Sequence, residues 1–230
     1  MVIENKTKNI AIIVGAGKGK RIGLKDKAFL MLDKKPVLVH SILPFENSDL
    51  IDDIILVVSE NRIDSAKDII NEYGLKKAKK IIAGGKERQD SVYNALKSIE
   101  TADYVLVHDA ARPLVTGKLI ENVLKAAKKF QSAIPSIPLK DTVKQGRDFI
   151  EKTMERDKLW LVQTPQAFKY EILKEAYESA MKNNFYSTDD AALVEKLSYR
   201  IKIVDGSFDN IKITVPVDLI IAETLLKKAD

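Results

Sequence analysis

The chain has 230 residues, 31% charged and 45% hydrophobic, with a formal net charge of +5, two His and no Cys. The missing Cys excludes a disulfide scaffold, thiolate zinc or iron–sulfur ligation and a thiol nucleophile, and His40 and His108 alone cannot build a His-rich metal centre. A chain this long can bury an ordinary core without staples, and its basic excess points to anionic partners, either nucleic acid or small phosphorylated molecules. No apolar run reaches the ~18 residues of a membrane span. The segment Met1–Lys6 lacks the apolar stretch and cleavage site of a secretory signal, so the expectation is a cytosolic protein with no membrane partner.

The chain alternates apolar runs with amphipathic stretches. Residues 10–14, 54–58 and 104–107 are short runs rich in β-branched residues, the pattern of strands buried on both faces of a parallel sheet. Between and after them lie helical periodicities at Asn61–Tyr73, Arg88–Ile99 and Thr116–Phe130, the last with Thr116 as N-cap. Strands alternating with helices predict βαβ units in an α/β fold. The pattern changes after about Ser132. Residues 133–138 are extended by their two prolines, and residues 139–158 predict a polar β-hairpin or arm that turns near Gly146 and packs on a partner. Helices are expected at Tyr170–Met181 and Thr188–Leu197, strands at 201–204 and 210–213, and a last helix from Pro216 to Lys228. No linker or repeat divides the chain, so residues 1–230 are expected to form one domain with 139–158 as an arm within it.

Three places could carry chemistry. Strand 10–14 empties into a glycine-rich segment, residues 15–23, that also holds Lys18, Lys20 and Arg21. Glycines there let backbone N–H groups approach phosphate, and clustered cations suit multiple negative charge. The spacing fits neither a P-loop nor a dinucleotide fingerprint. Asp109 ends the third apolar run, where open α/β sheets bind ligands, and a lone carboxylate there suits Mg²⁺ held mainly by phosphate oxygens, or else a helix cap. The neighbouring His108 reads as a packed residue rather than a ligand. Gly84 and Gly85 precede a helix, where a flat base could lie on the backbone and Ser91 could offer its hydroxyl.

Taken in order, GAGKGKR, Lys27-Ala28-Phe29-Leu30, GGKERQDSV, HDAARP, KDTVK, ERDKLW, QTPQAF, STDDAALVE and DNIKIT resemble the 2-C-methyl-D-erythritol 4-phosphate cytidylyltransferases of the non-mevalonate isoprenoid pathway. The resemblance runs from about residue 9 to 228. It implies a Rossmann-like nucleotidyltransferase fold with a mostly parallel central sheet and a protruding β-arm. It further implies transfer of CMP from CTP to methylerythritol phosphate with Mg²⁺, and a homodimer whose arm reaches the neighbour's site. By motif, Lys27, Lys212 and Arg21 would be catalytic. Ala16, Gly17, Gly19, Gly85, Lys86, Ser91 and Ala110 would bind CTP. Asp109, Arg112, Thr142 and Arg156 would bind the sugar phosphate, Asp109 also serving the metal. Gly15 and Asp26 stand where the family usually has Ala and Pro. The expectation is added loop flexibility at the first and an ion pair between Asp26 and Lys27 at the second. The stretch Tyr186–Thr188 departs from the family pattern, and no residue there is assigned.

The chemistry suits these residue types. A phosphate monoester, with its second pKa near about 6, is its own nucleophile and needs no Ser, Cys or His base. The obstacle is repulsion between two anions, about 4 kcal/mol per pair of unit charges at ~4 Å and an effective dielectric near 20, which cations must cancel. Within enzymes the competing reading is a cytidylyltransferase for a polyol phosphate such as ribitol 5-phosphate; Ala111 and Leu159-Trp160 favour methylerythritol phosphate. Outside enzymes it is a nucleic-acid-binding protein, which the sparse, scattered aromatics disfavour.

Overall fold

The computed structural model of the chain describes residues 7–17 and 26–229. In chain order the elements are β1 (Asn9–Val14), a small hairpin of β2 (Met31–Leu32) and β3 (Lys35–Pro36), α1 (Val37–Glu46), β4 (Asp53–Val58), α2 (Ile63–Glu72), β5 (Ala78–Ala83), α3 (Arg88–Lys97), β6 (Tyr104–Asp109) and α4 (Gly117–Phe130). There follow β7 (Ser132–Pro138), β8 (Lys144–Gly146), β9 (Ile150–Thr153), β10 (Trp160–Val162), β11 (Gln166–Lys169), α5 (Tyr170–Lys182), α6 (Asp190–Lys196), β12 (Lys202–Asp205) and α7 (Pro216–Ala229). One-turn 3-10 helices stand at Lys27–Phe29, Glu60–Arg62 and Arg156–Lys158.

The main sheet runs β6, β1, β4, β5 in parallel order. On the other side of β6, β11 lies antiparallel, followed by β7. The end of β7 pairs antiparallel with β10, and β12 pairs with β7 in parallel. The central strands bury both faces. In β1, Ala11 and Ile13 enter one core with Leu38, Ile42 and Phe45 of α1, while Ile10 and Ile12 enter the other with Val92 of α3 and Leu173 and Tyr177 of α5. The β-branched runs are therefore the middle layer of a three-layer α/β/α sandwich, as predicted.

Most expected elements stand where the periodicity put them, including α4 with the Thr116 hydroxyl accepting from the Leu119 N–H at 3.2 Å. Two places differ. The segment 210–213 is not a strand. It alternates as a strand does, with Ile213 buried against Leu32, Val37 and Ala222, but it forms no ladder among the described residues: the Ile213 N–H donates to the Ala111 carbonyl, just past β6, at 2.8 Å, and the Lys212 side chain reaches Asp109. Alternation reports two-sided burial, not a ladder partner. Helix α1 has no sequence expectation at all. It buries Val37, Leu38, Val39, Ile42 and Phe45, so no polar stripe betrays its period, and Pro44 in its last turn reads as a breaker. Within 139–158, β8 and β9 form a separate two-stranded antiparallel sheet, exposed throughout. Gly146, at φ 153°, is required there, because a Cβ would stand 2.1 Å from the Phe149 carbonyl oxygen.

The carboxyl ends of β1, β4, β5 and β6 form one edge. Gly15 N–H donates to Val57 C=O at 2.7 Å, Gly84 N–H to Val58 C=O at 2.8 Å and Ala110 N–H to Val14 C=O at 2.9 Å. These bonds draw the two glycine segments together, and a Cβ on Gly84 would fall 2.2 Å from the Ala16 Cβ. Gly84→Ala is expected to cost about 1–3 kcal/mol, the range of an overpacked site. Adding Ala16→Gly should return much of it, because that removes the atom it meets. Equal urea midpoints for the parent and Gly84→Ala would contradict so tight an approach.

Candidate active site

Asp109 is the last residue of β6 and only 8% exposed. Its Oδ1 accepts from Arg88 Nε at 3.0 Å and its Oδ2 from Lys212 Nζ at 2.7 Å. Burial alone would raise its pKa, but Arg88 and Lys212, with Arg112 behind them, hold the carboxyl far below the usual range. Arg88 opens α3, whose start is set by a capping box in which the Glu87 side chain accepts from the backbone N–H of Asp90 and Asp90 accepts from the Glu87 N–H. Its two other nitrogens reach Asp190 at 3.0 and 2.9 Å. Asp190 is 0% exposed and also accepts from the Tyr177 hydroxyl. Asp189 serves as the N-cap of α6, so Asp190 is left for Arg88. Burial would lower the Arg88 pKa, but the two carboxylates keep it well above its ordinary value. The start of α3, the start of α6 and the end of β6 are thus tied by one guanidinium.

A second chain of bonds stands behind Asp109. Its N–H donates to the Thr164 hydroxyl oxygen at 3.1 Å, and that hydroxyl lies 3.0 Å from His108 Nδ1, while His108 Nε2 lies 3.2 Å from the Arg112 carbonyl. With Thr164 accepting from the backbone it donates onward, and this order of donors assigns His108 as the neutral tautomer with its proton on Nε2. Burial holds its pKa down to about 3. Arg112 donates through Nη1 to the Asn210 carbonyl at 2.7 Å, and the Asn210 amide donates to the Thr164 carbonyl at 2.9 Å. Burial pulls the Arg112 pKa below its ordinary value. A cleft of about 490 Å³ opens in front, lined by Arg88, Asp109, Arg112 and Lys212 together with residues that include Trp160 and Thr188. That is the size range of a small-molecule site. The lining carries three cations, Arg88, Arg112 and Lys212, and three carboxylates, Asp109, Asp189 and Glu195.

Lys27, at the first 3-10 turn, donates to the Thr214 carbonyl at 2.6 Å. Thr214 lies two residues beyond Lys212 and is braced by Asp218, whose carboxylate accepts from the backbone of Thr214 and Val215 at 2.6 and 2.8 Å. Lys27 thus touches the short segment that carries Lys212, which lies 185 positions further along the chain (212 less 27). The Asp26 carboxylate is taken by Arg62, with Nη2 2.6 Å away, a pair the sequence did not suggest.

The remaining expected site residues divide. Ala16 packs against Gly84, Gly17 is exposed with open space around its Cα, and Lys86 is exposed. Ser91 is buried and stands behind the second loop, where its hydroxyl accepts from the Gly85 N–H and donates to the Glu87 carbonyl, each at 3.0 Å. Ala110 is buried beneath Gly15. A Cβ on Gly15 would lie 3.3 Å from that of Ala110, so the space left by the glycine is small. Thr142 and Arg156 are exposed beside the β8–β9 sheet, Arg156 donating to the Lys140 carbonyl at 3.0 Å, and they do not line the cleft. Gly19 and Arg21 lie outside the described residues. Sequence reasoning missed Arg88, Asp190, Tyr177 and Thr164. The visible signal was the doubled acid Asp189-Asp190 ahead of an apolar helix, where one cap suffices.

This edge, with its glycine loops and a strand-end carboxylate paired with Arg88 and Lys212, has the features of the α/β enzymes that handle phosphorylated ligands, among them the nucleotidyltransferases. The family model described as 2-C-methyl-D-erythritol 4-phosphate cytidylyltransferase matches residues 9–228. Proteins of that name from Alkaliphilus oremlandii and Clostridium acetobutylicum are each 45% identical, the first over 98% of both chains, the second over 96% of this chain and 98% of its own. The crystal structure of the 4-diphosphocytidyl-2C-methyl-D-erythritol synthase of Anaerococcus prevotii superposes with TM-score 0.86 at 31% identity, covering 97% of this chain and 100% of that one. The cytidylyltransferase structure from Thermus thermophilus gives 0.80 at 30% identity, over 94% and 98%. The chain belongs to the 2-C-methyl-D-erythritol 4-phosphate cytidylyltransferase family.

His108 makes stability depend on pH with a definite sign. Unfolded, it takes a proton below about 6.5; folded, it stays neutral down to about 3. Its contribution is complete above about pH 6.5 and is lost as pH falls toward 3, at up to about 1.4 kcal/mol per pH unit. Between pH 7 and 5 the parent should therefore lose about 2 kcal/mol more than His108→Gln. Parallel urea-stability profiles over that range would contradict the buried neutral state.

Proposed function

We propose that this chain transfers CMP from CTP to 2-C-methyl-D-erythritol 4-phosphate, releasing pyrophosphate and forming 4-diphosphocytidyl-2-C-methyl-D-erythritol, as a cytosolic enzyme. The observation that carries the reading is the Asp109 carboxylate held between Arg88 and Lys212 on the wall of the cleft, in a chain of this family. The substrate's phosphate dianion attacks the α-phosphorus of CTP in line, and no protein base is needed. What the protein must supply is positive charge and alignment. Lys27 holds the segment that carries Lys212, Arg112 bonds the same segment at the Asn210 carbonyl, and Arg21 of the first loop is assigned to the phosphates by motif. Ala16, Gly17, Gly19, Gly85, Lys86, Ser91 and Ala110 form or support the two loops assigned to CTP.

Asp109 fits Mg²⁺ by donor type, since this hard cation takes one or two carboxylates and completes its shell with phosphate and water. Among the described residues no group of three or more His, Cys, Asp or Glu side chains stands close enough to hold an ion alone. The metal would therefore be shared with the triphosphate, where it supplies neutralisation of the phosphate oxygens. Lys212, 42% exposed, is the partner of Asp109 able to turn toward a phosphate, whereas Arg88 is fixed by Asp190.

The whole chain is read as one domain that works as a homodimer. Phe149 and Ile150 on the arm, 86% and 70% exposed, and the half-exposed run Trp160–Val162 on β10 present apolar side chains to solvent. Across such a dimer, Thr142 and Arg156 would meet the sugar phosphate bound by the neighbour. No helix among the described residues is long and apolar enough to cross a membrane.

Pyrophosphate release from CTP, measured side by side with methylerythritol phosphate and ribitol 5-phosphate, tests the reading. Turnover only with ribitol phosphate would replace the substrate, and turnover with neither, alongside a salt-sensitive shift of a duplex probe, would favour nucleic-acid binding. Lys27→Ala and Lys212→Ala are each expected to lower kcat by about 10²-fold, or about 2.7 kcal/mol of transition-state stabilisation. Parent-like turnover of either would remove it from the clamp. Arg156→Ala should instead raise KM for the sugar phosphate with a smaller change in kcat. Sedimentation that finds an active monomer would refute the role of the arm.

A further inference from the structure

Asp26 directly precedes Lys27, and its backbone is left-handed, at φ 52° and ψ 43°. Asp is among the few residues besides Gly that tolerate this region. Its Oδ2 accepts two hydrogen bonds from one guanidinium, Arg62 Nε at 3.0 Å and Nη2 at 2.6 Å. Arg62 belongs to the neighbouring connection, the 3-10 turn between β4 and α2. The same guanidinium lies 5.2 Å from the centre of the Phe29 ring, within range of a cation–π contact. Phe29 is the third residue of the turn that Lys27 begins, and its N–H donates to the Asp26 carbonyl at 2.8 Å. Arg62 therefore touches both shoulders of the single turn that carries Lys27. A partly exposed pair of this kind contributes little to global stability. Its effect is to remove freedom from a backbone that only a single turn of helix would otherwise define.

We propose that Arg62 is a positioning residue for Lys27: its grip on Asp26 and Phe29 sets the backbone from which the Lys27 ammonium reaches the segment around Thr214. The consequence for catalysis rests on the function proposed above, in which Lys27 meets the nucleotide phosphates. Arg62 touches no reacting atom, so its influence must pass through Lys27, and this separates it from a residue that merely supports the fold.

The test compares the parent, Arg62→Ala, Arg62→Lys, Lys27→Ala and the double variant Arg62→Ala/Lys27→Ala in the pyrophosphate-release assay. Arg62→Ala is expected to lower kcat about tenfold, the scale of a small misplacement, and to leave KM for the sugar phosphate within about twofold. Arg62→Lys, which keeps the charge but loses the two-nitrogen grip, should fall between the two. In the Lys27→Ala background, Arg62→Ala should change nothing further. An equal fold-loss in both backgrounds would mean general damage and would overturn the proposal, as would parent-like kcat for Arg62→Ala in an active enzyme. A parent with no cytidylyl transfer at all would overturn the functional reading and this inference together.

Discussion

The site depends on keeping one carboxylate ionised at the dry end of a β-strand. Asp109 could not remain charged there without Arg88 and Lys212, and those cations could not crowd together without Asp109. Arg88 is in turn held by the fully buried Asp190, which also takes the Tyr177 hydroxyl. Three elements far apart in the chain are locked in register by this exchange of charge. The partners of Asp109 differ in freedom. Arg88 is fixed at both ends of its fork, whereas Lys212 makes a single bond from an extended segment. The cleft wall thus combines a permanent positive charge with a movable one, which is what a site needs if it is to receive an anion without rearranging its floor.

The sheet was legible because parallel strands buried on both faces read as unbroken β-branched runs. Ile10–Val14 and Ile54–Val58 needed no further information. Asp109 was legible as a strand-end carboxylate, and Thr116 as a cap. What the local pattern could not carry is pairing over distance. Arg88 and Asp190 are separated by 102 positions, and each looks like an ordinary helix-start residue until the fold brings them together. The link between Lys27 and the segment of Lys212 was suggested only by the order of motifs along the whole chain, since nothing in either neighbourhood refers to the other. Helix α1 was hidden for a different reason: a helix buried nearly all round has no polar face to mark its period. The segment 210–213 shows the opposite error, an alternation produced by burial between a core and a cleft rather than by a neighbouring strand.

Asp26 stands where the resemblance leads one to expect a ring-locked proline. A ring-locked φ can define a turn from within. A left-handed Asp needs help from outside, and Arg62 supplies it from a different βα connection. The geometry at Lys27 is then a property of two loops rather than one.

The contact between Ala16 and Gly84 has a historical consequence. A Cβ at 84 would meet the Ala16 Cβ at 2.2 Å, so position 84 gains volume at low cost only where position 16 gives it up. A descendant of this chain that acquires a side chain at 84 does so more easily once glycine stands at 16. Drift at 84 is thereby conditioned on the residue at 16, and steric exclusion favours one order of steps.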